Sequence, residues 1–316
     1  MGEELKKDTV DYVYLSDNSR YADLFNGVLF GGEPVLDVTG LEERDLKAVV
    51  DMKTTKVKDL VRKYGKDATY VVLGVENQEE VSYCMPLRML QYETAEYEKQ
   101  MRAVRKRNRD VRELTPGEFL EKYRKKDKIN PCVSLVLFWG KDWDGPVTLK
   151  EMLDMETLPE YLKEYVNDYF MHLVNVREFE NTGVFKTDLR QVFDFMKCAE
   201  DEEKIKELVI DNPDYMNMEM DAYDVMAVHS HSEVLLELRE KVKEENGNMC
   251  KGLTDWGKHE REAGREEGRE EGMLYHIYKM VERKKITIAE AMEDAQNGQS
   301  EEEFVAAMLA AGYKLP

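Results

Sequence analysis

The sequence predicts a mixed α/β fold, in which a mixed sheet is flanked by helices and followed by a C-terminal helical extension. Segments of helical periodicity alternate with short runs of β-forming residues, in the order helix, strand, strand, helix, strand, strand. Beyond about residue 215 the sequence becomes acidic and has helical periodicity alone. A chain of 316 residues can also bury a full core. We therefore expect a core domain at residues 1–215 and a helical tail at residues 216–316.

The first predicted elements are a helix and a hairpin. Apolar residues recur at helical spacing over residues 18–30, and two glycines at 31–32 end the pattern. Residues 56–63 and 69–76 are rich in β-forming residues and are separated by a turn signal at residues 65–67. This arrangement predicts an antiparallel hairpin.

The next elements predict a parallel or mixed extension of that sheet. A second helix is expected to begin at Pro86, since proline is favoured in the first helical turn. Its apolar stripe consists of Leu87, Leu90, Thr94, Tyr97, Met101 and Val104. A continuous apolar run at residues 132–139 favours a strand covered on both faces, and residues 170–176 predict a weaker strand. Helices at residues 186–196 and 202–210 follow.

The tail contains a short charged repeat. Residues 264–272 read Gly-Arg-Glu-Glu-Gly-Arg-Glu-Glu-Gly, which places three glycines on one face of a helix. We interpret this segment as a solvated helical linker, and self-association of the chain into a homo-oligomer through it is the alternative. Residues 273–283, 287–296 and a segment opened by Ser300 predict three further helices. Their acidic character favours a small bundle over a DNA-reading helix-turn-helix.

The net charge of −20 argues against a protein that binds nucleic acid over its whole surface, because such binding requires many basic side chains to neutralise phosphates. Positive charge is concentrated locally instead. Residues 99–128 contain twelve basic and five acidic residues, and residues 47–66 contain seven basic and two acidic residues. These stretches are candidate DNA contacts, with solvation of a helix end as the equally weighted alternative.

Cysteine and histidine spacing gives no zinc or redox motif. The four cysteines are far apart, and we expect reduced thiols in a cytoplasmic protein with no apolar run long enough to span a membrane. His229 and His231 lie near each other without a third ligand at suitable spacing, which favours a surface pair.

The candidate chemistry is at the end of the run at residues 69–78. Side chains alternate along a strand, so Glu76 and Gln78 are expected on one face, opposite to apolar neighbours. An apolar strand that ends in a carboxylate and an amide favours an edge that meets water, a metal ion or a ligand. Asp59 lies upstream, close to the first predicted strand.

Several segments resemble the PD-(D/E)XK nuclease superfamily, and more closely its branch of recombination-promoting nucleases or putative transposases. The segments that carry the resemblance are Asn18-Ser-Arg-Tyr-Ala-Asp-Leu-Phe-Asn26 with the following Val-Leu-Phe-Gly-Gly, Asp59, Glu76-Asn77-Gln78, Met85-Pro-Leu-Arg-Met-Leu-Gln-Tyr92 and the repeat at 264–272. The resemblance covers most of the chain and implies a restriction-endonuclease-like core.

The resemblance further implies a DNA endonuclease that depends on Mg²⁺ or Mn²⁺ and has a link to recombination or mobile elements. It assigns metal binding to Asp59, Glu76 and the carbonyl of Asn77. Gln78 occupies the position where the superfamily usually has lysine. An amide can orient water by hydrogen bonding but supplies no charge, so slower chemistry, greater reliance on the metal or a cation from elsewhere is expected.

Further candidate residues have equally plausible structural roles. Asp23 is a possible additional metal ligand or an ordinary solvated aspartate. Arg88 and Tyr92 could point back at the site, or they could be a surface arginine and a half-buried tyrosine. Candidate nucleic-acid contacts are Arg88, Arg102, Arg105, Lys106 and Arg107. Two other functions stay open: an inactive descendant that binds nucleic acid or a partner, and an acidic protein-interaction scaffold.

Overall fold

The computed structural model describes residues 6–43, 60–66, 69–295 and 300–314. The chain divides into two compact units, Met1–Cys250 and Lys251–Pro316. Among the described residues, no helix combines the length and apolar character needed to cross a membrane.

The sheet of the first unit is mixed, which confirms the predicted α/β class. Within the described residues its five strands lie in chain order, with antiparallel pairing among the first three and parallel pairing among the last three. The strands are β1 (Leu41–Glu43), β2 (Leu60–Lys66), β3 (Thr69–Gln78), β4 (Cys132–Phe138) and β5 (His172–Asn175). The α3 helix lies between the parallel strands β3 and β4 in sequence, as a crossover connection requires.

Helices make up the rest of the regular structure. Those of the first unit are α1 (Lys7–Ser16), α2 (Asn18–Phe30), α3 (Met85–Arg107), α4 (Pro116–Glu121), α5 (Glu160–Lys163), α6 (Leu189–Cys198), α7 (Glu202–Val209), α8 (Met220–His229) and α9 (Glu233–Glu244). The predicted helix at residues 18–30 is confirmed, and Gly31 ends it in a left-handed conformation (φ 59°) that favours glycine. The α1, α4 and α5 helices and the β1 strand were not predicted.

The hairpin is confirmed, but its turn is displaced along the chain. Gly65 and Lys66 were expected in the turn, yet they lie in β2, paired with Tyr70 and Thr69. Backbone pairing therefore continues through the glycine. The predicted start of this strand at residues 56–59, including Asp59, lies outside the described residues.

Each face of the sheet is covered by different helices. On one face, Met85 and Met89 of α3 form a buried cluster with Val136 of β4. On the other face, Arg62 of β2 lies over the ring of Tyr21 from α2. The β4 strand is buried from Ser134 to its end, as predicted for a strand covered on both faces.

The predicted domain boundary near residue 215 falls inside the first unit. All residues of α8 from Ala222 to His229 are buried, and the helix packs against α1, α6 and α9. The apolar residues after 215 thus belong to the core of this unit, because an almost wholly apolar helix must be covered on every side.

One buried histidine corrects the predicted surface pair. His229 is 2% exposed, its Nε2 lies 2.6 Å from Asp11 Oδ1, and its ring stacks on Trp139 at 4.3 Å. His231 is exposed and pairs with Glu79 at 2.7 Å. His229 ends the apolar α8 helix, which is the local signal for its burial.

The second unit is a small helical assembly. It contains most of α10 (Met249–Glu282), which includes the charged repeat, together with α11 (Ile288–Ala295) and α12 (Glu301–Ala310). The buried residues that join these helices are Ile277, Tyr278, Val281, Ala291, Phe304 and Met308. The predicted capping box at Ser300 is confirmed, with reciprocal hydrogen bonds between Ser300 and Glu303.

Candidate active site at the end of the third strand

Glu76 lies near the carboxyl end of β3, beside the parallel strand β4. Its register partner there is Val136, and the residue is only 4% exposed. Val75, its neighbour in the strand, is fully buried. The alternation of side chains therefore follows the sequence prediction, but Glu76 is enclosed by the face that α3 covers instead of opening directly to water.

Two nitrogen donors approach the same carboxylate oxygen of Glu76. Arg88 Nη2 lies 3.4 Å from Glu76 Oε1, and Gln78 Nε2 lies 3.4 Å from that atom. Arg88 reaches this position because Met85 and Met89, on either side of it, anchor the start of α3 in the core. Both distances are long for charge-assisted hydrogen bonds, which usually measure about 2.7–2.9 Å.

Gln78 and Asn77 are held by a second set of hydrogen bonds. Gln78 Nε2 donates to the backbone oxygen of Asn77 at 2.5 Å. Asn77 Oδ1 accepts from the indole nitrogen of Trp139 at 3.2 Å, and the Trp139 backbone nitrogen donates to Gln78 O at 2.8 Å. These hydrogen bonds fix the end of β3 against the start of the segment that follows β4.

The ends of β3 and β4 approach each other closely at Gly140. A Cβ atom on this glycine would lie 2.4 Å from the backbone oxygen of Glu79. The absence of a side chain therefore permits the approach that brings Trp139 to Asn77. The sequence pattern placed Trp139 at the end of a predicted strand and did not reveal its role in fixing Asn77, although the adjacent glycine was a usable signal.

Asp59, the other predicted carboxylate, lies outside the described residues. Its sequence neighbour Leu60 pairs with Val75, which is the sequence neighbour of Glu76. Within residues 6–43, 60–66, 69–295 and 300–314, no group of three or more histidine, cysteine, aspartate or glutamate side chains is arranged to hold a metal ion.

Asp23 has a structural role away from Glu76. It is 6% exposed, and its Oδ2 atom accepts hydrogen bonds from the backbone nitrogens of Lys186 and Thr187 at 2.8 and 2.7 Å and from the Thr187 hydroxyl at 2.7 Å. Asp23 thereby fixes the segment that leads into α6. It is neither a solvated aspartate nor brought together with Glu76.

Tyr92 lies one helical turn beyond Arg88. It packs, partly buried, against the cluster formed by Met85, Met89 and Val136. The structure thus places Tyr92 beside the core that supports the start of α3, in agreement with the predicted alternative of a half-buried tyrosine.

The predicted basic contacts lie at the far end of α3. Arg105 is seventeen residues beyond Arg88, which corresponds to about 25 Å along an α-helix. Arg102, Arg105 and Arg107 pair with Glu98, Glu121 and Asp127 at 3.1, 2.9 and 3.1 Å, and Lys106 is exposed. Closeness in sequence therefore does not place these charges beside Glu76.

Part of this basic end stabilises the loop that follows α3. Hydrogen bonds from Arg124, foremost, and Asn108 hold the pKa of the buried Asp127 carboxyl well below its usual range. Arg107 and Arg124 both pair with this carboxylate. These two arginines are thus engaged in local structure.

A cavity of about 400 Å³ lies beyond the ends of β3 and β4. Several of its charged lining residues are paired, with Lys141 at 2.8 Å from Glu200 and His231 at 2.7 Å from Glu79. The Glu76 carboxylate does not line this cavity. Side chains that are paired with each other are less available to bind a ligand, so we favour the Glu76 site over this cavity.

Comparison of the chain with protein-family models, with curated proteins and with solved structures finds no match.

Proposed function

We propose that this protein is a metal-dependent DNA endonuclease with a restriction-endonuclease-like core, in which Asp59 and Glu76 hold Mg²⁺ or Mn²⁺. The observation that supports this most is the enclosed Glu76 carboxylate at the carboxyl end of a parallel strand. Burial of a carboxylate is costly unless it is paired or binds a metal. Arg88 and Gln78 approach this carboxylate at 3.4 Å, and a divalent cation would add a stronger counter-charge.

The available donor atoms fit a hard divalent cation. The Glu76 carboxylate and the Asn77 backbone oxygen are oxygen ligands, which magnesium prefers, and Asp59 adds a second carboxylate. When bound, such an ion neutralises phosphate charge and makes water nucleophilic near neutral pH. Gln78 would orient the attacking water by hydrogen bonding, since its amide has both donor and acceptor atoms.

The long α3 helix would set the position of the DNA. Its basic end around Lys106 lies about 25 Å from Arg88, and this distance corresponds to about seven base pairs of duplex. Lys106 would therefore contact the phosphate backbone well away from the bond that is cleaved. Such contacts raise affinity without specifying sequence.

A plasmid-nicking assay with purified protein tests the proposal. We expect cleavage that requires Mg²⁺ or Mn²⁺, is abolished by a chelator and falls at least about 100-fold in Asp59→Asn and in Glu76→Gln, since each variant keeps the shape but removes a charged ligand. Glu98→Gln is the matched control, because this glutamate lies exposed on α3 and pairs with the exposed Arg102. Cleavage that persists in Glu76→Gln at the wild-type rate would reject this site.

The glutamine at position 78 favours one second candidate, a descendant that binds DNA without cleaving it. Absence of cleavage together with salt-dependent DNA binding would select this function. Absence of both would select the acidic protein-interaction scaffold.

A further inference from the structure

We propose that Arg88 forms a phosphate-binding site and contacts a non-bridging oxygen of the phosphodiester, where it supplies the positive charge that Gln78 cannot supply. This inference rests on the proposed nuclease function and names the residue that binds the anionic group of the substrate.

Arg88 is enclosed, but its hydrogen-bond donors are poorly satisfied. Its side chain is 15% exposed, and its buried Nε atom has no hydrogen-bond partner within the part of the chain that the structure describes. Its Nη2 atom lies 3.3 Å from Met85 Sδ, a weak acceptor, and 3.4 Å from Glu76 Oε1. A guanidinium has five N–H donors, and leaving donors unsatisfied away from water is costly. A bound oxyanion would satisfy them.

The position of Arg88 in α3 also favours binding of an anion. It lies in the second half of the first turn, where the partial positive charge of a helix N-terminus disfavours a cation. No acidic residue lies in this turn to balance it. The charge of Arg88 and the partial positive charge of the α3 N-terminus therefore lie together beside Glu76. Their mutual repulsion destabilises this end of the helix, and an anionic ligand would relieve it.

The chemical step assigns a limited role to Arg88. Water attacks phosphorus and loses a proton to solvent, the bond to the leaving oxygen breaks, and that oxygen takes up a proton from solvent, so protons balance and no oxidant or reductant is needed. Negative charge accumulates on the non-bridging oxygens during this step. Arg88 donates hydrogen bonds to one of them and thereby stabilises the transition state.

Cleavage kinetics with two positions varied together provide the first test. We expect Arg88→Met to lower kcat about 100-fold, and Arg88→Lys to retain part of the rate because it keeps the charge. In the Arg88→Met background, Gln78→Lys should recover at least about tenfold, whereas Gln78→Lys alone should change the rate little. Wild-type kcat in Arg88→Met would overturn the role of Arg88 and leave the nuclease function standing.

An arginine Nε–H spectrum by ¹⁵N NMR provides a test that needs no cleavage. The resonance lost in Arg88→Lys identifies Arg88, and inorganic phosphate or a short duplex oligonucleotide in chelator is then added. We expect this resonance to shift while that of Arg20 does not. A shift with the duplex alone identifies the phosphodiester as the ligand, and a shift with both identifies phosphate oxygen in general.

The two tests separate the two proposals. A shifted Arg88 resonance in a protein that does not cleave DNA would keep the phosphate site and reject the nuclease. An Arg88 resonance that moves with neither probe would overturn the phosphate site.

Discussion

Two enclosed arginines, Arg20 and Arg88, differ sharply in how completely their donors are used. Arg20 lies on α2, is 4% exposed and pairs with three carboxylates. Its contact with Asp188 is bidentate, at 2.7 and 2.8 Å, and its contact with Asp221 measures 2.5 Å. Arg20 also lies 4.5 Å from the centre of the Tyr14 ring.

Arg88 has one carboxylate partner at 3.4 Å and a buried Nε atom with no hydrogen bond among the described residues. The difference indicates separate roles. A saturated arginine joins α2 to the start of α6 and to α8, and so holds the helices on one face of the sheet. An unsaturated arginine retains donors for a ligand. The predictions below test this distinction.

The largest effect is expected on removing the saturated arginine. Arg20→Met should lower the free energy of unfolding by about 3–5 kcal/mol, because it leaves Asp188 and Asp221 together without a cation in a partly buried site. Urea unfolding followed by circular dichroism measures this change. Arg102→Met is the control, since this exposed pair should contribute less than about 0.5 kcal/mol. A loss no greater than that of the control would refute the structural role of Arg20.

A pH-dependent effect of intermediate size is expected at Tyr14 in the same cluster. Burial, with the nearby Asp188 charge, raises the pKa of Tyr14 well above its usual range. A raised pKa means that the stabilisation is complete below about pH 10 and is lost as pH rises above it, by about 1.4 kcal/mol per pH unit. In Tyr14→Phe, the free energy of unfolding should therefore decrease less steeply as the pH rises from about 10 to about 11. Urea titrations at several alkaline pH values measure this slope, and an unchanged slope would contradict the prediction.

The smallest effect on stability is expected at Arg88. Arg88→Met should lower the free energy of unfolding by about 1 kcal/mol, because it removes one long contact from the enclosed Glu76 carboxylate. The same urea unfolding measurement applies. If Arg88→Met loses as much stability as Arg20→Met, both arginines have a structural role, and the distinction between a structural Arg20 and a ligand-binding Arg88 is wrong.

Local sequence patterns predicted the elements that position the site. The hydrophobic period and the two glycines located α2, the β-rich runs located the hairpin, and Pro86 located the start of α3. Alternation along β3 also placed Gln78 and Glu76 on one face, where their side chains approach to 3.4 Å. Each of these features depends on neighbours within a few residues.

The contacts that sequence did not reveal join distant parts of the chain. Arg20 and Asp188 are 168 residues apart, and His229 and Asp11 are 218 residues apart. No local period reports such pairs. The distance of the basic residues from Glu76 was also not evident from the sequence, because a single helix of 23 residues carries them far from the strand end that precedes it. The α8 helix was assigned to the tail, because the sequence alone does not show that this helix is buried against α1 and α6.

Gly140 imposes a constraint that is independent of chemistry. Any larger residue would meet the Glu79 carbonyl oxygen and separate the ends of β3 and β4. Natural variants that drift away from catalysis are free to replace Glu76 while position 140 stays glycine. Variation at these two positions, compared across related sequences, would therefore distinguish selection for the fold from selection for the reaction.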